Sequence, residues 1–323
     1  MKYRISIALA TFNGERHLSE QLHSFLLQTR QPDELIISDD GSTDGTIAIA
    51  NKFAKECQFE VRIFRNLVNL GYAQNFSRAL QYCTGDIVFI SDQDDVWLPE
   101  KIERIVQNFA EKPEVQLLIH DLEYCKADLT PIGQTKIGRM QGAFDLNFKF
   151  VVGMATAVRG PFLKLCLPIP DVDDLSHDFW LHRCADLLDK KIIIHEVLAM
   201  YRRHVSTVTN VGDLNVDFFT TADHFKSAAY RNKTNLPEVQ FRVLFEWLQS
   251  RRNVLIECGY VSSDYIDNVI RVEQRRIECM AARARILAMG KWRRVWPVLF
   301  LWGRGGYRYF SGWKSAAKDI LLN

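Results

Sequence analysis

The chain has 323 residues, 47% of them hydrophobic and 25% charged, with 17 Gly and 9 Pro. That length is comfortable for two domains and buries a sizeable core without disulfides or a structural metal, and the composition excludes a disordered or fibrous chain. The net charge of +2 hides a division: residues 224–323 hold 18 Lys and Arg against 8 Asp and Glu, and the rest of the chain holds 23 against 31.

Arg4 to Ala10 reads as a first strand; its apolar run is too short for a secretory leader, and Thr11-Phe12-Asn13-Gly14-Glu15-Arg16 follows with no small-residue cleavage site. Glu15 to Gln28 carries Leu18, Leu22, Phe25 and Leu26 at helical spacing. Leu35 to Ser38 is a short apolar strand that ends in Asp39-Asp40-Gly41-Ser42. Thr43 to Glu56 reads as a helix, Glu60 to Phe64 as a strand and Tyr72 to Tyr82 as a helix. Asp86 to Ser91 is another strand ending in carboxylates, and Pro99 opens the next helix, where its missing N–H costs nothing. Short apolar strands alternating with helices predict an α/β fold with βαβ units and a mostly parallel sheet. The pattern then loosens: Val115 to His120, Val152 to Val158 and Lys191 to Ala199 read as strands, and His177 to Leu188 as a helix. From about Val216 the strand signal stops, and Pro237 to Cys258 and Ser262 to Met289 read as long amphipathic helices. The division that follows is an α/β domain over residues 1–215 and a basic, Trp-rich helical region over 216–323.

Seven scattered cysteines with no C-x-x-C pair speak against a zinc ribbon or a thioredoxin-type motif and for buried, reduced thiols of a cytosolic protein. The longest apolar run of the tail, Val295 to Trp302, is far short of a membrane span.

In open α/β sheets ligands bind outside the carboxyl ends of the strands. Three such ends carry polar clusters: Thr11 to Glu15, Asp39 to Thr46, and Asp92-Gln93-Asp94-Asp95. Capping and turn preferences explain part of the second. They explain the third poorly, because three carboxylates in four residues repel one another unless a cation neutralises them. A carboxylate-rich site suits Mg²⁺ or Mn²⁺, ions that commonly bridge protein carboxylates to substrate phosphates. The first turn lacks G-x-G-x-x-G and the chain lacks G-x-x-x-x-G-K-[ST], so NAD-dependent hydride transfer and a P-loop NTPase are disfavoured.

Ala10-Thr11-Phe12-Asn13, Asp39-Asp40-Gly41-Ser42-Thr43-Asp44-Gly45-Thr46, Asn69-Leu70-Gly71-Tyr72-Ala73 and Asp92-Gln93-Asp94-Asp95 resemble, in this order, the motifs of family-two glycosyltransferases. The resemblance covers about residues 4–205 and departs at Ala10, where the family has proline. It implies the GT-A fold, one Rossmann-like α/β domain that binds a nucleoside-diphosphate sugar through Mn²⁺ or Mg²⁺. Ser91 to Trp97 is similar to bacterial rhamnosyltransferase-like enzymes of surface-polysaccharide assembly, including O-antigen and capsule. By the same resemblance Thr11, Asn13, Glu15 and Asp39 or Asp40 hold base and ribose, and Asp92 contacts the ribose or sugar side. Asp94, with Asp92 and His204, ligates the metal, and Asp95 binds donor-sugar hydroxyls or buttresses the ligands. His177-Asp178-Phe179-Trp180-Leu181 resembles the family's base motif and makes Asp178 the general base, the alternative being a residue that merely favours the N-terminal dipole of its helix. His177 stands where the family has glutamate; Asp173 and Asp174 read as loop or cap residues. Tyr201-Arg202-Arg203-His204 resembles the family's Y-R-x-H, with Arg202 on the diphosphate, although Val205 replaces the usual glycine. Gly153-Met154-Ala155-Thr156 resembles a strand shaping the donor-sugar pocket, or else is a close-packed strand. His120 and His195, in apolar strands, read as core histidines. Without Q-x-x-R-W or membrane spans, the resemblance favours one sugar per turnover, transferred with inversion.

Residues 283–318 hold nine Lys and Arg and no Asp or Glu, interleaved with Trp292, Trp296, Trp302 and Trp313. No nucleic-acid motif accompanies them. They fit either an anionic membrane surface, which would present a lipid-linked glycan acceptor to a cytoplasmic enzyme lying on the inner face of the cell membrane, or packing on a partner subunit. Two rival classes stand beside the transferase: a non-catalytic carbohydrate-binding or scaffold protein that kept the fold, and a sugar-nucleotide pyrophosphorylase, whose G-x-G-x-R signature is absent. Donor sugar, acceptor and oligomeric state are left open.

Overall fold

The computed structural model describes residues 2–140, 152–203, 236–310 and 312–321. The chain divides into two compact units. The first is built from residues 1–171 and 175–224, and the second from 172–174 and 225–323. The boundary expected between 215 and 216 lies outside the described residues.

The first unit begins with β1 (Ile5–Thr11), α1 (Leu18–Leu26), β2 (Glu34–Asp39), α2 (Thr46–Glu56), β3 (Glu60–Arg65), α3 (Tyr72–Tyr82) and β4 (Ile87–Ser91). Strands β1, β2 and β4 are buried along their whole lengths. A parallel strand covered on both faces has no polar side to present, so these sequences are nearly continuous apolar runs rather than alternating ones. Outermost, β3 is more exposed and carries Glu60, Arg62 and Arg65, charges that discourage further strand pairing.

There follow β5 (Val96–Trp97), α4 (Lys101–Glu111), β6 (Leu117–Cys125), β7 (Pro131–Thr135), α5 (Lys136–Met140), a 3₁₀ turn at Gly153–Ala155, β8 (Thr156–Arg159), α6 (Gly160–Cys166), α7 (His177–Leu187) and β9 (Lys191–Arg202). The spatial order is β3-β2-β1-β4-β8-β6-β9-β5, with β7 on β6. The first four strands pair in parallel, β8 runs antiparallel to both β4 and β6, and β9 returns parallel to β6. At β1 the order reverses, β2 lying on one side and β4 on the other, and that switch point opens a crevice at the carboxyl ends of the strands. Thr11 pairs with Asp39, and Leu9 with Ser91, so the three polar clusters emerge side by side.

Two expectations change. The strand expected from Val152 starts only at Thr156, because the preceding backbone coils against α7; a Cβ on Gly153 would lie 2.6 Å from His177 Nε2. His195 is exposed rather than in the core. The β6–β9 ladder pairs His120 with Ile194 and Asp121 with Val197, so an irregularity lets His195 and Glu196 bulge outward. His120 itself is fully buried, as expected. All seven cysteines are unbridged; five are buried and Cys258 is exposed.

The second unit contains α8 (Leu236–Glu257), α9 (Ser263–Leu287), α10 (Lys291–Gly303), a 3₁₀ turn at Gly306–Tyr309 and α11 (Trp313–Leu321). Its small core joins Cys279, Ile286, Val298, Leu301, Tyr307 and Ala316. A buried ion pair lies beside it: Arg283 donates to both Asp319 oxygens at 2.6 and 2.8 Å, and the Tyr307 hydroxyl donates to Asp319 at 2.8 Å.

Candidate functional site

The crevice is framed by loops that hydrogen-bond one another more than they cap their own helices. In the first loop Asn13 adopts φ 46°, which turns its backbone N–H onto Ser42 Oγ (2.9 Å) and lets its side-chain oxygen accept from Thr43 N (2.9 Å). Gly14 N donates to Thr46 Oγ1, Glu15 N to Asp44, and Gly45 N back to Glu15. Asn13 and Glu15 are both exposed at the mouth.

Thr11, Asp39 and Asp40 are buried and organise these loops from beneath. Asp39 accepts from the Thr11 hydroxyl (3.0 Å) and from both N–H and O–H of Ser42, with Arg65 3.8 Å away. Asp40 accepts from Asn66 Nδ2, Leu70 N and Gly71 N at 2.7–2.9 Å. That grip shapes the turn into α3, where Gly71 takes φ 79°, a conformation glycine adopts without strain.

The third cluster follows β4. Gln93 bonds both backbone polar groups of Phe12, accepting from its N–H at 2.9 Å and donating to its C=O at 3.0 Å. Its carboxamide lies against Gly14, where an added Cβ would come within 2.2 Å. Asp95 is buried; its Oδ1 accepts from Arg202 N at 3.0 Å, and its Oδ2 makes no hydrogen bond among the described residues. Burial, then Asp94 and then Asp178 push the Asp92 carboxyl up to about 8. Burial with Asp94 and Asp92 likewise raises Asp95. The internal counter-charge is Lys101, a fully buried side chain whose ammonium donates to Met154 O (2.7 Å) and stands 3.7 Å from the Trp97 ring centroid. Burial lowers its pKa, and Asp95 and Asp92 oppose that fall.

Asp178 stands in the first turn of α7, behind the Ser176 cap, and accepts from Phe179 N at 2.8 Å. Burial would raise its carboxyl, but His177, the Ser176 hydroxyl, His182 and the Phe179 N–H together bring it below the usual carboxylate value. His177 is buried, stacked on Phe76 with ring centroids 3.8 Å apart. His182 Nε2 lies 2.8 Å from Thr156 Oγ1, whose own proton goes to Val152 O, so the imidazole is the donor.

The structure therefore brings Asp92, Asp94, Asp95 and Asp178 into one electrostatic cluster. It gives Arg202 a different place from the one expected. Arg202 is 2% exposed, and its guanidinium donates to Asp94 O (2.8 Å), Ala127 O (2.6 Å) and the Glu20 carboxylate. With these donors engaged inside the protein, Arg202 braces the acidic turn and is not presented to a diphosphate. His204 lies outside the described residues. Among the described residues no group of three or more His, Cys, Asp or Glu side chains is placed to hold a metal ion. The chemistry of the donor set, carboxylates at Asp92 and Asp94 with the unbonded Asp95 Oδ2, suits a hard cation that takes its remaining ligands from substrate phosphate and water.

Three contributors were not recognised in the sequence. Gln93 is the unspecified middle letter of D-x-D. Lys101 had a signal, since it occupies an apolar-stripe position of α4 with Ile102, Ile105 and Phe109. Ser42 was visible as a turn residue within a resembling motif, without a role of its own.

Comparison with known proteins bears on the fold and on the first part of the chain. An uncharacterized glycosyltransferase of Nostoc sp. is 29% identical over 212 residues, 62% of this chain and 65% of that one, so the chain spans just under two thirds of that relative. An uncharacterized glycosyltransferase of Haemophilus influenzae is 27% identical over 230 residues, 70% of this chain and 85% of the relative. Among solved structures, S. aureus TarS 1–349 in complex with UDP-GlcNAc covers 98% of this chain and 89% of its own at TM-score 0.53 and 16% identity. The mannosyltransferase PcManGT from Pyrobaculum calidifontis, in complex with GDP-Man and Mn²⁺, covers 100% and 88% at TM-score 0.50 and 16% identity. At such identities the likeness shows the fold, which is GT-A. Residues 6–162 match the family model for Glycosyl transferase family 2, and the chain therefore carries a glycosyl transferase family 2 domain.

Proposed function

We propose that the protein is an inverting, metal-dependent glycosyltransferase. It moves one sugar, rhamnosyl or another hexosyl, from a nucleoside-diphosphate donor to a hydroxyl of a lipid-linked or surface-polysaccharide acceptor. The reading is supported by the acidic Asp92–Asp94 turn that follows β4 at the crevice, and by Asp178 in the first turn of α7, whose charge helps raise the Asp92 carboxyl after burial and Asp94. The UDP-GlcNAc and GDP-Man–Mn²⁺ complexes of the two structural relatives support the donor and metal classes.

Asn13 and Glu15, at the exposed mouth, bind the base and ribose. Thr11, Asp39 and Asp40 act through the loops they hold. Asp92, Asp94 and His204 are the candidate ligands for Mg²⁺ or Mn²⁺, which supplies electrophilic neutralisation of the diphosphate as its charge develops. Asp178, kept ionised by His177, His182 and its helix cap, accepts the proton of the acceptor hydroxyl at a carboxylate oxygen. The hydroxyl oxygen bonds to the anomeric carbon as the bond to the diphosphate breaks on the opposite face, which inverts the centre in one displacement.

The test is release of nucleoside diphosphate from a panel of UDP, GDP and dTDP sugars, with Mn²⁺, with Mg²⁺ and with EDTA. Metal-dependent release, lost in Asp94→Ala and in Asp178→Asn, is expected. The reading is overturned if no donor is turned over and Asp94→Ala binds donors as wild type does.

A further inference from the structure

Helix α10 is apolar on opposite faces. Val298 and Leu301 point into the core of the second unit. On the other side Trp292, Trp296 and Phe300, each four residues from the next, form one stripe with Leu299. Trp292 is 89% exposed, Trp296 79% and Phe300 62%. A helix that is apolar all round normally is buried or crosses a bilayer. This one has 13 residues, a length of about 20 Å, against a hydrocarbon core of about 30 Å. Among the described residues no helix is long and apolar enough to cross a membrane.

The charges around the stripe select its occupant. Lys291 and Arg293 are exposed in the first turn beside Trp292. At the other end the exposed Arg304 holds its guanidinium 4.3 Å from the Phe300 ring. Exposed Trp313 and Lys314 repeat the pairing on α11. Of the nine cations between 283 and 318, Arg283 is neutralised internally by Asp319. A second copy docking through the same face would bring like charges together, because a two-fold contact is self-complementary by construction. An anionic bilayer offers the opposite: phosphates for the cations, and an interfacial zone that Trp side chains prefer.

We infer that α10 lies in the surface of an anionic phospholipid bilayer, with Trp292, Trp296, Leu299 and Phe300 inserted below the headgroups and Lys291, Arg293 and Arg304 on the phosphates. The inference stands apart from the transfer reading, since it concerns where the protein sits and not what its crevice does.

The test uses the full chain with vesicles of phosphatidylcholine, alone or mixed with phosphatidylglycerol, read by co-sedimentation and by the shift of tryptophan emission. Wild type is expected to bind the anionic vesicles at least roughly tenfold more tightly, with the preference declining as salt rises. The combined Trp292→Ser, Trp296→Ser, Phe300→Ser variant is expected to lose roughly tenfold or more on both vesicle types. Lys291→Glu with Arg293→Glu is expected to lose the preference for the anionic ones. All substituted residues are exposed, so helical content by circular dichroism should match wild type. Equal binding of wild type to both vesicles, or unchanged binding of the aromatic variant, overturns the inference. So does a concentration-dependent dimer that the aromatic variant abolishes while wild type ignores lipid. Vesicle binding by a chain that turns over no donor, and whose Asp94→Ala variant binds donors as wild type does, would uphold the inference and sink the proposed function.

Discussion

At the residue scale the cluster holds two carboxylates tuned in opposite directions. Asp178 is lowered and remains charged at neutral pH, whereas Asp92, crowded by burial, Asp94 and Asp178, is raised to about 8. Replacing Asp178 by Asn keeps the helix-start geometry and removes the proposed proton acceptor. Turnover should fall roughly 10²- to 10⁴-fold, the usual range for loss of a general base, with donor KM little changed in steady-state assays. Asp92→Asn should have a double effect. It removes a carboxyl that burial forces to take up a proton on folding at neutral pH, which raises the melting temperature of metal-free protein, and it removes a proposed ligand oxygen, which shrinks the further rise expected with Mn²⁺. Thermal melts with and without Mn²⁺ check both. Arg202→Ala leaves the Glu20 carboxylate without its cation and the half-buried carbonyls of Asp94 and Ala127 without a donor, while the backbone N–H that serves Asp95 remains. About 2–4 kcal/mol of stability should be lost in urea titrations. The acidic residues were legible in the sequence because carboxylates at a strand end repel and so call for a cation. The role of Arg202 was not legible, since an arginine beside a phosphate and one bonded to carbonyls are the same letter.

At the element scale the mouth of the crevice is a fabric of loops, and Gln93 is its cross-stitch. Gln93→Ala should free the Thr11–Glu15 loop from the acidic turn. Roughly tenfold in donor KM with a smaller change in kcat is the expected pattern, because positioning is loosened while the base is untouched. Ser176→Ala removes the cap of α7 and should cost about 1 kcal/mol, measured by chemical denaturation. The elements legible in the sequence are those long enough to show a helical period, such as α1, α8 and α9, or a continuous apolar run, such as β1, β2 and β4. Two-residue β5 has none, and it forms only because Val96 and Trp97 reach Met200 and Ala199 of a strand far along the chain. β9 runs on to Arg202 through Met200 and Tyr201, past the apolar run that marked it, because β6 supplies a partner for each step as far as Cys125. The start expected for β8 failed for the converse reason: the His177 ring occupies the space beside Gly153.

For the whole molecule the net charge of +2 is the sum of an acidic crevice and a cationic tail, and its pH response has two opposed limbs. His120 and His177 are buried and their pKa values are lowered, by burial first. The folded state then binds fewer protons than the unfolded chain, whose histidines titrate near ~6.5, and stability falls as pH drops below that value. Asp92 acts with the other sign. Its folded pKa lies above the unfolded one, so its contribution is present at low pH and is lost as pH rises toward about 8. Metal-free protein should therefore melt highest at an intermediate pH, and Asp92→Asn should flatten only the alkaline limb; a melting series across pH reads both. The internal tie made by Arg202 also bears on synthesis. Its partners Glu20, Asp94 and Asp95 leave the ribosome well before it does. At about 5–20 residues per second, Asp95 waits on the order of 5–20 s for the strand that braces it. The nascent chain thus exposes an acidic turn with no brace until β9 arrives, and the crevice takes its braced form only when β9 has joined the sheet.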